Sequence, residues 1–395
     1  MSAFSPIDHA LMARALRLAA RGLATTRPNP RVGCVVAHGD RVVGEGWHAK
    51  AGGAHAEVLA LAEAGAQAEG ATAYATLEPC GLHGRTPPCV DALIAAGIAR
   101  VVVASEDAFQ RAGSGIDRLR GAGIEVEVGL MRDAARELNR GFFSRIERGR
   151  PWLRLKLAMS LDGRTALADG HSKWITGEAA RADVQRWRAR SCAILTGSGT
   201  VLADDPRLTV RAPAAGTRCG ESHSSLRSDP FPDWESGEPA VGGDGGGAVA
   251  PLRVVLDRRL RTPRGAHVLD GAAPTLVLHA NDARAGDDRF ARVELAPVEG
   301  PTDAIDLHAV LRMLASRGIN EVQVEAGPTL CGALFAEGLV DELLLYVAPV
   351  LLGDCARPLL ALPSLADMAR RWRLHVHDDR RVGEDWRLLL RPQAN

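Results

Sequence analysis

The chain has 395 residues, 46% of them hydrophobic and 24% charged, so it is long enough for two globular domains and is neither fibrous nor wholly disordered. Its 48 Lys and Arg balance its 48 Asp and Glu, which argues against a protein that binds nucleic acid by neutralising phosphates. Seven scattered cysteines, no signal-peptide pattern and no apolar run of about 20 residues predict a cytoplasmic protein without disulfides or a membrane span.

The first part of the chain, residues 1–148, alternates helical and strand-like patterns. In chain order we predict a helix at 6–23, strands at 32–37 and 41–46, a helix at 55–64, a strand at 71–76, a helix at 90–96, a strand at 100–104, and a segment at 116–122 that leads to a strand at 124–128. This alternation is typical of α/β layers around a largely buried sheet.

A second α/β domain, residues 149–395, is predicted after a linker at 149–151. Its predicted elements are a strand at 152–158, a helix at 177–190, and strands at 193–196, 253–257, 275–279, 321–325 and 342–347. Residues 212–251 are rich in Gly, Ser, Pro and Asp, and such a stretch buries too little apolar area to offset the entropy of ordering. We therefore predict a flexible insertion there, and a surface loop is favoured over a binding role.

The strongest chemical signal is His55-Ala56-Glu57 followed by Pro79-Cys80 and by Cys89. One imidazole and two thiolates leave one tetrahedral position of a zinc ion open for water, as in a catalytic zinc site. The metal lowers the pKa of that water, and Glu57, two residues from His55, is placed to move its proton to a leaving group. The order of these residues is typical of zinc nucleobase deaminases, although nine positions rather than three separate the cysteines.

Other interpretations of this motif remain open. A His-Ala-Glu triplet arises by chance, the two cysteines are small enough to be plain core residues, and a structural zinc is a further alternative. A nucleoside or tRNA deaminase joined to an unrelated reductase-like domain is the main alternative function, against which the neutral charge and the 4% of aromatic residues weigh.

Several motifs of the first domain resemble the deaminase half of the RibD family of bifunctional riboflavin-biosynthesis enzymes. They lie at 28–33, 44–48, 78–80 and 84–89, and the long cysteine loop is itself a mark of that branch. The resemblance implies a cytidine-deaminase-like three-layer α/β/α domain with zinc on His55, Cys80 and Cys89. It also implies substrate contacts from Asn29, His48 and Arg85.

The second domain lacks the G-x-G-x-x-G fingerprint of a Rossmann fold after its first strand. It instead carries glycines at predicted joints between strands and helices, where backbone N–H groups approach phosphate. Arg188 and Arg211 are suited to clamp a second phosphate.

These stretches are similar to the reductase half of the same family, a dihydrofolate-reductase-like α/β domain. The resemblance implies Zn2+ and NADPH as cofactors. The implied NADPH contacts are Ala158, Trp174, Thr200, Asp204, Gly327, Pro328, Thr329, Leu330, Cys331, Gly332 and Ala333. The implied substrate contacts are Ser172, Arg188, Leu208, Arg211 and Glu325.

The resemblance implies a two-step reaction on a small pyrimidine ribosyl phosphate. The first step removes the 2-amino group, and in the second NADPH reduces C1′ to give a ribitylamino chain. Lys156 is expected to polarise or protonate the sugar, while Asp205 and Glu325 orient its hydroxyls. A homo-oligomer is expected, with neither nucleic acid nor membrane as a partner.

Two positions depart from the family pattern. Leu82 stands where the family usually has His, so a phosphate contact is lost or moves to His83, and a reductase with a weakened deaminase half is a further alternative. Arg258 stands where the family often has Ser, and it is expected to meet the 2′-phosphate of NADPH.

Overall fold

The structure is a computed structural model that describes residues 4–83, 87–110, 115–211, 249–300 and 304–393. Within these ranges the chain as far as Arg148 forms one compact unit, and the chain from Gly149 onward, apart from Val249, forms a second. None of the helices described in these ranges is both long and apolar enough to cross a membrane. Arg85 and positions 212–248 of the predicted insertion lie outside the described residues.

The first unit contains a five-stranded sheet with the order β2-β1-β3-β4-β5. Strand β1 is antiparallel to β2 and β3, whereas β3, β4 and β5 are parallel. The elements in chain order are α1 (Pro6–Ala20), β1 (Gly33–His38), β2 (Arg41–Trp47), α2 (Ala56–Ala64), β3 (Thr72–Ala75), α3 (Cys89–Ala95), β4 (Arg100–Val103), α4 (Gly115–Gly121), β5 (Glu125–Val128), α5 (Arg132–Leu138) and α6 (Arg140–Arg148).

Alternating apolar side chains bury both faces of this sheet. Val35 and Val102 pack with α1 and α5, while Val36 and Val101 point the other way and pack with α2, α3 and α4. The predicted three-layer α/β/α arrangement is confirmed.

The second unit is built on a nine-stranded sheet with the order β11-β10-β9-β8-β12-β6-β13-β16-β15. The first seven strands of that order are parallel, and β16 and β15 are antiparallel. The elements are β6 (Trp152–Ser160), β7 (Arg164–Ala166), α7 (Glu178–Arg190), β8 (Ala193–Gly197), α8 (Ser198–Asp204), β9 (Leu252–Leu256), β10 (Thr275–Ala280), β11 (Glu294–Val298), α9 (Leu307–Ser316), β12 (Glu321–Val324), α10 (Pro328–Ala336), β13 (Glu342–Ala348), β14 (Arg357–Pro358), β15 (Leu374–Val382) and β16 (Asp385–Pro392).

The two faces of this second sheet differ in character. One face carries the largest apolar cluster, which includes Leu155, Leu195 and Val324 and packs under α9 and α10. The face under α7 carries charged side chains, among them the fully buried Arg154 and Glu342, whose side chains form an ion pair. Charged residues on a buried face hide the alternation on which strand prediction depends.

Candidate functional site

The metal-binding residues of the first unit meet where two helices begin. His55 is the N-cap of α2, Cys89 is the first residue of α3, and Cys80 follows β3 in the intervening loop. The Nδ1 atom of His55 lies 3.0 Å from Cys89 Sγ and 3.5 Å from Cys80 Sγ, and all three ligand atoms lie within 4.8 Å of one another.

This cluster fits a tetrahedral zinc ion. Ligands at about 2.0–2.3 Å from zinc at tetrahedral angles are roughly 3.3–3.8 Å apart, close to the two distances from the imidazole. The interaction between the two neighbouring thiols lowers the pKa of Cys80 to about 4 and raises that of Cys89, where burial acts in the same direction. Two thiols this close need a cation before both ionise.

Glu57 lies beside the metal ligands without being needed as one. It is in the first turn of α2 and only 3% exposed, and its Oε2 atom lies 3.5 Å from Cys89 Sγ. Burial raises the pKa of the Glu57 carboxyl, an effect that the nearby His55 opposes. A buried carboxyl beside a metal site is suited to accept and return a proton.

Two glycines of β2 set the position of α2. A Cβ atom on Gly46 would lie 2.1 Å from the carbonyl oxygen of Ala56, and one on Gly44 would lie 2.1 Å from that of Ala60. Because β2 has no side chains there, α2 packs directly on the strand and carries His55 and Glu57 to the cysteines.

We expect Gly46→Ala to weaken zinc binding and to destabilise the first unit by roughly 1–3 kcal/mol, because overpacking must push α2 away from β2. Gly121→Ala is the matched control, since its Cβ would meet nothing within 4 Å. Chelator competition and thermal unfolding measure both effects. Zinc affinity equal to that of the control would contradict this account of how α2 is placed.

The segment that carries Cys80 is held by side chains that the sequence analysis missed. Gln110 Oε1 accepts the N–H of Gly81 at 2.7 Å, and Arg118 Nη1 donates to its carbonyl oxygen at 2.6 Å. The buried Glu78 accepts the N–H groups of Asp107 and Ile116. These partners are 29 to 38 positions from their contacts, and no local pattern reveals such pairs.

Two of the predicted substrate residues of the first unit lie next to each other. Asn29 Nδ2 donates to His48 Nε2 at 3.1 Å, because His48 Nδ1 donates to the carbonyl of Ala54 at 3.0 Å. The His48 ring packs edge-on against that of His55, with centroids 5.5 Å apart. Burial lowers the pKa of His48, which agrees with a neutral ring held in one tautomer.

The loop after Cys80 exposes the residue that departs from the family pattern. Leu82 is 51% exposed, and the neighbouring His83 is also exposed. Neither packs into the core.

In the second unit, three charged residues meet at the carboxyl ends of parallel strands. Val324 pairs with Leu155 and Leu195, so Glu325 comes level with Lys156 on the neighbouring strand. Arg188 of α7 covers this face and binds Glu325 through two hydrogen bonds of 2.7 Å each. Ligands of open α/β sheets bind at this edge of the strands.

The two cationic neighbours of Glu325 keep its carboxyl group ionised. Burial alone would raise the pKa of Glu325, but Arg188 and Lys156 lower it to about 2. Burial lowers the pKa of Lys156, while Glu325 counteracts that effect. Glu325 is therefore a carboxylate at neutral pH.

The predicted cofactor turn joins β12 to α10. Gly327 is the N-cap of α10, its N–H donates to Thr200 Oγ1 at 3.2 Å, and Pro328 occupies the first turn. The backbone N–H groups at this helix start are suited to bind phosphate. Cys331 and Gly332 are buried, and the N–H of Cys331 donates to the carbonyl of Gly327, so Thr329 and Leu330 carry the N–H groups that this helix start offers to a phosphate.

The other predicted reductase residues have different surroundings. Trp174 is 69% exposed, with the Arg181 guanidinium 4.7 Å from its ring centroid. Leu208 is only 1% exposed and packs in the core, so its side chain faces away from solvent. The Asp205 carboxylate accepts the N–H of His267 at 2.8 Å. Four further predicted residues, Ala158, Ser172, Asp204 and Arg211, range from partly buried to exposed.

The fold and these two clusters define a bifunctional enzyme, in which a zinc-dependent deaminase domain is joined to an NADPH-dependent reductase domain. Residues 5–105 match the family described as the cytidine and deoxycytidylate deaminase zinc-binding region, and residues 151–386 match the RibD C-terminal domain. The chain belongs to the RibD family of riboflavin-biosynthesis enzymes, as its sequence motifs predicted.

Similarity extends along the whole chain. It is 46% identical to riboflavin biosynthesis protein RibD of Escherichia coli K12 over 96% of this chain and 97% of that protein. The RibD structure of Acinetobacter baumannii (form 2) matches with a TM-score of 0.82 at 42% identity, covering 98% of this chain and 99% of that one. A Thermotoga maritima structure described as a diaminohydroxyphosphoribosylaminopyrimidine deaminase/5-amino-6-(5-phosphoribosylamino)uracil reductase matches with a TM-score of 0.79 at 30% identity over 98% of this chain and 99% of that one.

Proposed function

We propose that the chain deaminates a diaminopyrimidinone ribosylamino 5′-phosphate and then reduces the ribosyl group of 5-amino-6-(5-phosphoribosylamino)uracil. The observation that carries this proposal is the His55–Cys80–Cys89 cluster with a buried carboxyl beside it. The substrates named for the Thermotoga maritima relative support this choice of pyrimidine.

In the deaminase domain, His55, Cys80 and Cys89 hold zinc. When bound, the zinc would act as a Lewis acid that lowers the pKa of a water molecule, so that the water can serve as a nucleophile near neutral pH. Glu57 accepts the proton of that water at its carboxylate and delivers it to the departing amino nitrogen, which leaves as ammonia. Asn29, His48 and Arg85 are the proposed substrate contacts of this domain, and His48 holds the amide of Asn29 in place.

In the reductase domain, the carboxyl ends of β6, β8 and β12 hold substrate and cofactor side by side. When bound, NADPH would supply a hydride for C1′ of the ribosyl unit. Lys156 stabilises the sugar oxygen that gains a proton, while Glu325 accepts hydrogen bonds from sugar hydroxyls. Arg211 and Ser172 bind the phosphate end, with Leu208 contributing its backbone.

Four groups are proposed to hold the cofactor. The turn from Gly327 to Ala333 contacts its pyrophosphate through the N–H groups of Thr329 and Leu330 at the start of α10. Thr200 and Asp204 lie on the neighbouring helix α8, and Trp174 covers an apolar face of the cofactor. Ala158, on the same strand as Lys156, contacts the nicotinamide side.

A two-product assay tests the proposed reactions. With the diaminopyrimidinone phosphate and NADPH, we expect equal amounts of ammonia and oxidised NADPH. With the deaminated uracil phosphate we expect oxidised NADPH alone. Ammonia release from cytidine or tRNA but not from the pyrimidine phosphate would contradict the proposal and favour the nucleoside alternative. NADPH oxidation with the uracil phosphate, together with little ammonia from the diaminopyrimidinone phosphate, would indicate a weakened deaminase half.

Arg258 is proposed to recognise the 2′-phosphate of NADPH. It follows β9 at the carboxyl edge of the sheet, and its buried Nε has no hydrogen-bond partner among the described residues. We expect Arg258→Ser to reduce the preference for NADPH over NADH roughly 10- to 100-fold, because a charge-assisted bond is lost. Arg259→Ser, at the exposed neighbouring position, is the control. An unchanged ratio of the two KM values would refute this role.

We also propose a cytoplasmic homo-oligomer. The odd number and scattered positions of the seven cysteines support a reducing compartment. Strand β15 is an edge strand that exposes Leu374 and Val376, and a second copy would cover such an edge. Light scattering after size exclusion tests the assembly, and a monomer at cellular concentration would contradict it.

A further inference from the structure

Gln323 is a buried polar residue on the face of the reductase sheet that carries Glu325. It lies in β12, is fully buried, and pairs in register with Arg154 of β6. Because Gln323 and Glu325 are two residues apart in an extended segment, their side chains share one face. Gln323 Nε2 donates to Glu325 Oε1 at 2.9 Å.

The orientation of the Gln323 amide follows from the charge of its partner. Arg188 keeps Glu325 ionised, so the carboxylate only accepts hydrogen bonds and must face the NH2 group of the amide. The Oε1 atom of Gln323 is consequently turned away from Glu325. It is buried and has no hydrogen-bond partner among the described residues.

The unpartnered oxygen of Gln323 indicates that the amide is present for its hydrogen bond to Glu325. An apolar side chain at 323 would avoid burying a lone acceptor, which is unfavourable. The bond that offsets this penalty is the one to Glu325. A purely structural core position would thus favour leucine over glutamine.

The bond also decides which oxygen of Glu325 remains available. Oε1 accepts from both Arg188 Nε and Gln323 Nε2, whereas Oε2 accepts from Arg188 Nη2. Each carboxylate oxygen has two lone pairs. Oε1 is therefore filled, and Oε2 keeps one acceptor position.

We propose that Gln323 is a positioning residue of the reductase, which fixes the Glu325 carboxylate so that Oε2 accepts a hydroxyl of the ribosyl substrate. The inference rests on the proposed role of Glu325 in substrate binding. Gln323 itself touches neither substrate nor cofactor and acts through Glu325.

Two substitutions in the full-length holoenzyme separate positioning from packing. Gln323→Leu is close in volume and removes the donor, and we expect it to raise the reductase KM for the uracil phosphate roughly tenfold with a smaller change in kcat. Gln323→Glu puts a carboxylate next to Glu325, so we expect a larger rise in KM. A merely structural role of Gln323 would lower the stability of both variants without raising this KM.

The deaminase reaction of the same chain is the internal control and should not change. A wild-type KM in Gln323→Leu would overturn the proposal, and so would a parallel loss of deaminase and reductase rates. Glu325→Gln is measured alongside. If that variant has a wild-type KM, the proposed role of Glu325 fails; if its KM rises and that of Gln323→Leu does not, only the positioning role fails.

Discussion

We expect Glu57→Gln to slow ammonia release from the diaminopyrimidinone phosphate by roughly 10²- to 10⁴-fold, the usual contribution of a general acid–base group. The amide keeps the shape of the carboxyl but does not carry a proton from water to the leaving nitrogen. Glu57 lies beside Cys89 and is not in the three-residue ligand cluster. Zinc content should therefore stay at the wild-type level.

The second activity of the chain provides the control for this variant. NADPH oxidation with the deaminated uracil phosphate should be unchanged, because Glu57 lies in the other unit. A deamination rate within tenfold of wild type would exclude Glu57 as the proton carrier. A loss of zinc together with the rate would instead indicate a ligand.

The second large effect is expected from Arg188→Met, which we predict to destabilise the reductase domain by about 3–5 kcal/mol. The Arg188 and Glu325 side chains are 11% and 13% exposed, so the substitution leaves a buried carboxylate without its bidentate partner. The double variant Arg188→Met/Glu325→Gln removes that charge and should recover part of the loss. Equal stability of the single and double variants would contradict this prediction.

The stability that the Arg188–Glu325 ion pair contributes changes with pH in a direction set by the pKa of Glu325. The folded pKa of Glu325 is about 2, below its ordinary value of 4.5. The ion pair therefore contributes stability above pH 4.5 that is lost as the pH falls towards 2. In Arg188→Met, burial is expected to raise that pKa. The difference in unfolding free energy between wild type and variant should then be largest near neutral pH and shrink in acid, as measured by urea unfolding.

Residues close together in the sequence could be predicted, whereas residues brought together by the fold could not. His55 and Glu57 share one short motif, and the two cysteines bracket one loop, so the zinc site followed from spacing. Gln110 and Arg118 reach Gly81 from segments more than 25 positions away. Their types are ordinary, and only the packing of α4 and of the loop after β4 against the Cys80 segment reveals their contacts.

The reductase site shows the same limit. Arg188 and Glu325 were predicted as separate substrate residues, yet they are 137 positions apart and form one ion pair. The hairpin of β15 and β16 was not predicted, because the alternation that begins with Leu374 and Val376 is broken by the charged run at 378–381. Helices α5 and α6 were missed as well, since their short apolar patterns are interrupted by arginines.

Zinc K-edge X-ray absorption on the purified full-length protein tests the central claim most directly. The account predicts one zinc per chain with two sulfur ligands at about 2.3 Å and two lighter ligands at about 2.0–2.1 Å, one from His55 and one from solvent. Protein without zinc, or zinc held by three or more sulfurs, would contradict it.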